Sequence, residues 1–386
     1  MRLRLGTFNV WGLPEIVDVA DDVSSRMRLI AERLAESDLD LLLIQEAWTA
    51  EVRDTLRAGA EAAGFSVVEH PSGSGGLMTL SRLPVLAAQF ERFHFRGDPE
   101  RIDLGEYLGG KGFQTLRVRD RDRTLTVVNT HLHARYSRAR PRLNNAVRTA
   151  QLLQIVGRVR DVSETLIVGG DLNCAKGDPE YEIFRSLLGM SELGGGTHHP
   201  TVSRTNWYKR DRRGRDKRID FLFLRPEAGL AWETKDARLL FAEPARIRAI
   251  DRSLSDHYGF RATVALESRT SWLASRPLSD QAAAIERARE LLDLADAEAD
   301  RRERVHFRTA GVWTAAAVAA AFLRRTDPVD RRRFLRAGVD VLTIGALAPA
   351  VGLGTLARLD SDDKRDAFEE ARRVLAGLRE EVSRSA

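Results

Sequence analysis

The chain has 386 residues, 61 of them lysine or arginine against 56 acids, a formal net charge of +5 and a single cysteine, Cys174. That length is enough to bury a large core and leaves room for an appendage, while one cysteine excludes an intrachain disulfide framework and points to an intracellular, reducing setting. The modest basic excess favours anionic partners, whether nucleic acid, phospholipid or phosphorylated metabolite, and does not choose among them.

Arg2 to Asn9 alternates polar and apolar residues as a strand does, with no apolar leader core before it, so the fold is expected to begin at the first residues. Further on, Leu39 to Ile44, Thr124 to Asn129, Thr165 to Val168, Ile219 to Leu224 and Tyr258 to Leu266 read as strands, and Ser25 to Ala35, Ala50 to Ala63 and Arg142 to Val159 carry helical spacing. This mixture over residues 1–266 predicts one α/β or α+β domain in which helices cover sheets.

Several of these apolar runs end on an ionisable or amide side chain: Phe8-Asn9, Ile44-Gln45-Glu46, Asn129-Thr130-His131, Gly170-Asp171-Leu172-Asn173 and Leu254-Ser255-Asp256-His257. A strand delivers its last side chain to a sheet rim with little loss of freedom, so such endings can converge on one phosphate. Glu46, after a buried-strand run, is a candidate ligand for a hard cation, with Asn9 and Asp256 beside it; magnesium takes oxygen donors and keeps waters and substrate in its remaining positions. Asp171 and Asn173 share one side of a Gly-Gly approach, where a carboxylate can orient or deprotonate water and an amide can donate to the charge that develops on phosphorus.

His131 and His133 share a face if the strand continues. Zinc is disfavoured there, because there is one cysteine and no third histidine at ligand spacing, and the other pair, His198 and His199, sits in a glycine-rich loop. His131 therefore reads as a donor to a phosphate oxygen. Asp220 opens a strand and is placed to reach His257, which can then be held protonated or used to move a proton. Gly109-Gly110-Lys111-Gly112-Phe113 is a basic loop able to cradle phosphate without Walker spacing, and the basic run from Arg204 to Arg218, with Trp207 and Tyr208 inside it, suits nucleic acid or an anionic bilayer.

After residue 267 the composition shifts to Ala, Arg, Asp, Glu and Leu. Asp280 to Arg304 reads as a charged helical stem, followed by apolar segments at 309–323 and 337–357 with Pro328 and several arginines between them. About 20 apolar residues are needed to span hydrocarbon, so the second segment approaches that length and the first falls short. A shallow or re-entrant hairpin, its arginines on anionic headgroups, accommodates both; a soluble helical pair on the catalytic domain is the other reading.

The stretches Thr7-Phe8-Asn9-Val10-Trp11-Gly12-Leu13-Pro14, Gly75-Gly76-Leu77 leading to Ser81-Arg82-Leu83-Pro84, Gly110-Lys111-Gly112-Phe113, Thr130-His131-Leu132-His133-Ala134 and Leu254-Ser255-Asp256-His257 together resemble the endonuclease/exonuclease/phosphatase superfamily, and within it the neutral sphingomyelinases. The resemblance implies a four-layered α/β sandwich of the DNase I-like fold, with Mg²⁺, as one or two ions replaceable by Mn²⁺, at the sheet rim. It implies Glu46 as metal ligand assisted by Asn9 and Asp256, and Asp171 and Asn173 as the water-positioning and transition-state pair. His131 and His257 would face phosphate, with Asp220 orienting His257 and with Lys111 and His133 contacting substrate. The expected activity is phosphodiester hydrolysis on a phospholipid at a membrane surface, in the cytoplasm or at a membrane held by the hairpin. A nuclease acting on DNA or RNA and a phosphoinositide phosphatase are the alternatives, and the oligomeric state stays open.

Overall fold

Two six-stranded sheets lie face to face, because most strands carry apolar side chains on both faces. The computed structural model describes residues 2–14, 20–70, 72–95, 109–134, 141–196, 199–209, 215–268, 278–323, 325 and 333–385. In chain order the elements are β1 (Arg2–Gly12), α1 (Val23–Ala35), β2 (Leu41–Ala47), α2 (Ala50–Ala62), β3 (Ser66–Glu69), β4 (Met78–Ser81), β5 (Val85–Arg92), β6 (Gly112–Asp120), β7 (Arg123–His131), α3 (Pro141–Val159), β8 (Thr165–Asp171), α4 (Pro179–Leu187), β9 (Ser191–Glu192), β10 (Asp220–Arg225), β11 (Leu230–Leu240), β12 (Ala245–Ile247), β13 (Ile250–Arg252), β14 (Gly259–Ser268), α5 (Leu278–Leu323) and α6 (Arg333–Ser385). The first sheet has the order β11-β14-β1-β2-β4-β3 and the second β5-β6-β7-β8-β10-β9, with β12 and β13 forming a separate hairpin.

The two-residue period of a strand divides each apolar run between layers. Leu41 and Leu43 of β2 enter the core between the sheets, while Leu42 and Ile44 face α1 and α2. In the second sheet, Leu125, Val127 and Ile167 meet that same inner core, and Val128, Leu166 and Val168 turn outward to α3 and α4. Helix, sheet, sheet, helix is the four-layered order expected. Val23, Met27, Ile30 and Leu34 give α1 its buried stripe, and Thr49 caps α2 by accepting from the Val52 N–H at 3.2 Å.

The tail adds to the outer layer of the second sheet. Ile285, Leu291 and Leu292 of α5 and Phe368, Leu375 and Leu378 of α6 share a core with Leu153, Phe184 and Phe221. The helices run antiparallel, with Arg365 on Glu303 at 3.1 Å, Arg372 on Asp293 at 3.1 Å and Arg379 on Glu286 at 4.0 Å. Followed back from its C-terminal end, α6 passes Arg160, beyond the end of α3, at Glu381 and then His94, beyond the end of β5, at Glu370. Past that point the helices leave the core, and Val312, Phe322, Val341 and Ile344 lie 63–72% exposed, as does Val318. Ala337–Thr355, 19 residues of mean hydropathy 1.6 and 11% buried, is long and apolar enough to cross a membrane. The segment 309–323 lies in α5 and does not qualify among the described residues. Arg324, Pro328, Arg331 and Arg332 lie outside the described residues.

Candidate active site

Parallel pairing of β1 with β2 sets Asn9 against Gln45, and the ladder then breaks between Asn9 and Gly12. Trp11 occupies a left-handed conformation there, φ 52°, which aims its N–H at Asn9 Oδ1 at 3.0 Å. With its oxygen so engaged, the Asn9 amide turns its nitrogen to two acids, donating to Glu46 Oε1 at 2.9 Å and to Asp171 Oδ2 at 3.0 Å. Glu46 is itself left-handed, φ 62°. Gly12 is required by this approach, since a Cβ would stand 2.7 Å from the Glu46 carbonyl oxygen.

The second sheet brings its own row to the same rim. Register places His131 beside Asp171 and Asp171 beside Asp220. Gly170 permits the last step of β8, because a Cβ would fall 1.9 Å from the Thr130 oxygen. His131 Nε2 lies 3.8 Å from Glu46 Oε1 and 3.7 Å from Asp171 Oδ2, and Lys111 Nζ reaches His131 Nε2 and the Leu132 carbonyl, each at 3.0 Å. Asn173 holds the loop by giving its N–H to Asp171 Oδ1 at 2.9 Å and its side-chain amide to the Leu132 carbonyl at 3.0 Å.

His257 closes the cluster, with Nδ1 2.9 Å from Asp220 Oδ2 and 3.9 Å from Asp171 Oδ2. Its loop is sewn to β1 by Ser255, whose hydroxyl donates to the Asn9 carbonyl at 2.7 Å and accepts from the His257 N–H at 3.2 Å. The structure thus gathers Asn9, Glu46, Lys111, His131, Asp171, Asn173, Asp220 and His257, with Asp256 close enough to act on Glu46. His133 stands apart: its ring meets Phe95 edge-on at 5.8 Å, and its backbone N–H donates to Gln151 at 2.9 Å.

Burial and the neighbouring Asp256 charge push the Glu46 carboxyl up to about 7, and burial raises Asp256 as well. For His257, burial pulls the value down, yet Asp220, Asp256 and Asp171 outweigh it and hold the imidazole well above its ordinary range. Excess buried carboxylate of this kind is what a divalent cation relieves. Glu46, His131 and Asp171 offer ligand atoms within 4.8 Å of one another, and so do Asp171, Asp220 and His257. Each group holds one imidazole, no thiolate and otherwise oxygen donors, which fits a hard cation better than zinc.

The basic run is partly structural. Arg218 is spent on Glu192 at 2.9 Å and on the Phe260 ring at 3.7 Å, and the Tyr208 hydroxyl donates to Asp22 at 3.0 Å. Trp207 is 44% exposed; Arg210, Arg212, Arg213 and His198 lie outside the described residues. Arg26 is a further residue of this region, marked in the sequence only by a charge on the stripe of Val23, Met27, Ile30 and Leu34. Nor does the sequence show that Gln45 and Asn129 bond each other at 2.8 Å and tie the two sheets together beneath the cluster.

This arrangement has relatives. A Drosophila melanogaster protein named as a neutral sphingomyelinase is 28% identical over 275 residues, covering 69% of this chain and 61% of its own length. The inositol phosphosphingolipids phospholipase C of Schizosaccharomyces pombe is 25% identical over 306 residues, 69% of each chain. Among solved structures, a beta toxin of Staphylococcus aureus with bound magnesium ions aligns with TM-score 0.54 and 18% identity over 68% of this chain and 99% of that one. The chain spans about three fifths of the length of the fly protein. Residues 6–257 match the Endonuclease/Exonuclease/phosphatase family model, and with two sheets meeting at an acidic rim the chain belongs to that family.

Proposed function

We propose that the protein is a Mg²⁺-dependent phosphodiesterase that hydrolyses a phospholipid in the manner of a sphingomyelinase or phospholipase C. The observation that carries this reading is the Asn9 amide nitrogen bonded to Glu46 and Asp171 at once, with His131 Nε2 within 3.8 Å of both acids. A bound divalent cation would be held by Glu46 with Asp171 or Asp256 and would supply charge neutralisation at the phosphate. The Lys111 ammonium, which donates to His131 Nε2, adds positive charge on the same side, where it binds and orients the phosphate oxygens. Asp171, fixed through both oxygens by Asn9 and Asn173, orients the attacking water. Asp220 pins His257 through Nδ1, which leaves Nε2 as the atom that holds or moves a proton at the substrate.

The names of the relatives support a phosphosphingolipid, and the exposed apolar reaches of α5 and α6 support a membrane surface. Because α6, followed back from its C-terminal end, passes Glu381 at Arg160 and then Glu370 at His94, its apolar stretch at Ala337–Thr355 lies beyond the end of the sheet where the acids lie. A bilayer engaged there would face the rim. Nucleic acid is less well served, since Arg218 of the basic run is committed within the fold.

The test offers sphingomyelin, phosphatidylcholine, phosphoinositide and plasmid in parallel to purified full-length protein, with Mg²⁺ or EDTA. Mg²⁺-dependent release of the phosphorylated headgroup from a phospholipid is expected. Nicked plasmid without lipid cleavage would overturn the assignment.

A further inference from the structure

Arg26 is a fully buried cation on α1 whose hydrogen bonds run to backbone oxygens. Its guanidinium donates to the carbonyls of Val10 at 2.8 Å, Trp11 at 2.8 Å, Leu254 at 3.1 Å and Asp21 at 2.8 Å. It also lies over the Trp11 ring at 4.9 Å and the Tyr208 ring at 5.4 Å. Burying such a charge is expensive, and here it falls on the β1 tip beside Asn9 and on the loop that carries Asp256 and His257.

Val10 and Trp11 form the irregular tip of β1, where the left-handed Trp11 points its N–H at Asn9. Leu254 precedes Ser255, the residue that sews Asp256 and His257 to β1. One planar group therefore fixes the strained tip from both sides and ties it to the loop that delivers His257.

Resting on the cation reading above, we infer that Arg26 is a positioning residue for the cation cluster, setting the Asn9 amide that spaces Glu46 from Asp171 through the Trp11 bulge and the Leu254 carbonyl. It does not touch substrate. A lysine in its place offers a compact ammonium with no planar fork and cannot reach the same carbonyls together.

Arg225 supplies a matched control. It too donates to several carbonyls at helix ends and in loops, those of Arg160, Leu188 and Val159 at 3.3–3.4 Å and Val162 at 2.5 Å, and it lies at the end of β10 away from Asp220. Mn²⁺ would be titrated into the EDTA-treated full chain by calorimetry for the parent, Arg26→Lys, Arg225→Lys, Asn9→Ala and the Arg26→Lys/Asn9→Ala double variant, with melting temperatures measured alongside. Partners that orient ligands typically contribute about 10–100-fold to metal affinity, so Arg26→Lys is expected to weaken Mn²⁺ binding by that factor and Arg225→Lys to leave it unchanged even where it melts as early. The double variant is expected to bind no more weakly than Asn9→Ala alone, because the two act on one element. Parent-like binding by Arg26→Lys, equal weakening by Arg225→Lys, or additive losses would overturn the positioning role while leaving the cation site standing. Absence of saturable Mn²⁺ binding by the parent would overturn the cation reading itself and this inference with it.

Discussion

The side-chain nitrogen of Asn9 and the carboxylate of Asp171 are hydrogen-bonded at 3.0 Å although 162 positions separate them in sequence. They come from the middle strands of different sheets, so this contact, with the Gln45–Asn129 bond below it, fastens the two halves of the sandwich at the rim where chemistry is proposed.

Asn9 spaces two acids that would otherwise repel. In Asn9→Ala the concentration of Mg²⁺ giving half-maximal hydrolysis should rise by about 10–100-fold, with a smaller change in turnover at saturating Mg²⁺. A Mg²⁺ titration of initial rates separates the two effects.

Asp171→Asn preserves shape and removes charge. Turnover should fall by at least about 10²–10³ while the melting temperature stays near that of the parent, since burial of a like-sized amide relieves repulsion from Asp220. Steady-state rates together with a thermal melt check both halves; undiminished turnover would remove Asp171 from the proposed chemistry.

The proton on His257 should persist at alkaline pH in the EDTA-treated chain, because Asp220, Asp256 and Asp171 raise its folded value. The stability contributed by this pairing is complete below the unfolded histidine value of about 6.5 and is lost as pH rises through the folded value. Imidazole NMR should show the His257 titration shifted down toward the ordinary range in Asp220→Asn, and an unchanged midpoint would count against the pairing.

Phe368 is fully buried in the core that joins α6 to the second sheet. Phe368→Ala should destabilise the protein by about 3–5 kcal/mol, read by urea unfolding. A loss confined to a tail transition, with the two-sheet part unfolding as before, would contradict the shared core.

Replacing Val341, Ile344 and Val351 together by serine removes apolar area from the exposed reach of α6 without touching the core. Flotation with phospholipid vesicles should be lost and hydrolysis of a soluble phosphodiester retained.

Much of this was legible in the sequence for a physical reason. β2, β7, β8 and β10 are buried on both faces, so their apolar runs stand out, and each carries at or next to one end a charge or amide that only a rim could use. The edge strands gave no such signal: β5 is exposed along most of its length, β11 is half-buried along most of its own, and both read as mixed surface. At the site, residue type announced Glu46, Asp171, Asp220 and His257. Arg26 shows in the sequence only as a charge on the apolar stripe of α1; its partners are backbone carbonyls, which no side-chain pattern reports. The Asn9 amide orientation likewise depends on a single left-handed residue, Trp11.

A long helix rooted at one end in a protein core behaves as a ruler. Each residue of α6 between its apolar stretch and Lys364, which lies 5.7 Å from the Phe95 ring, adds about 1.5 Å of reach and about 100° of rotation. Lengthening this shaft by one residue would swing the greasy face around while hardly changing its height, whereas adding about seven would restore the azimuth and move the acidic rim roughly 10 Å further from it. Were that stretch held in a bilayer, the standoff and heading of the acidic rim would be written into a residue count.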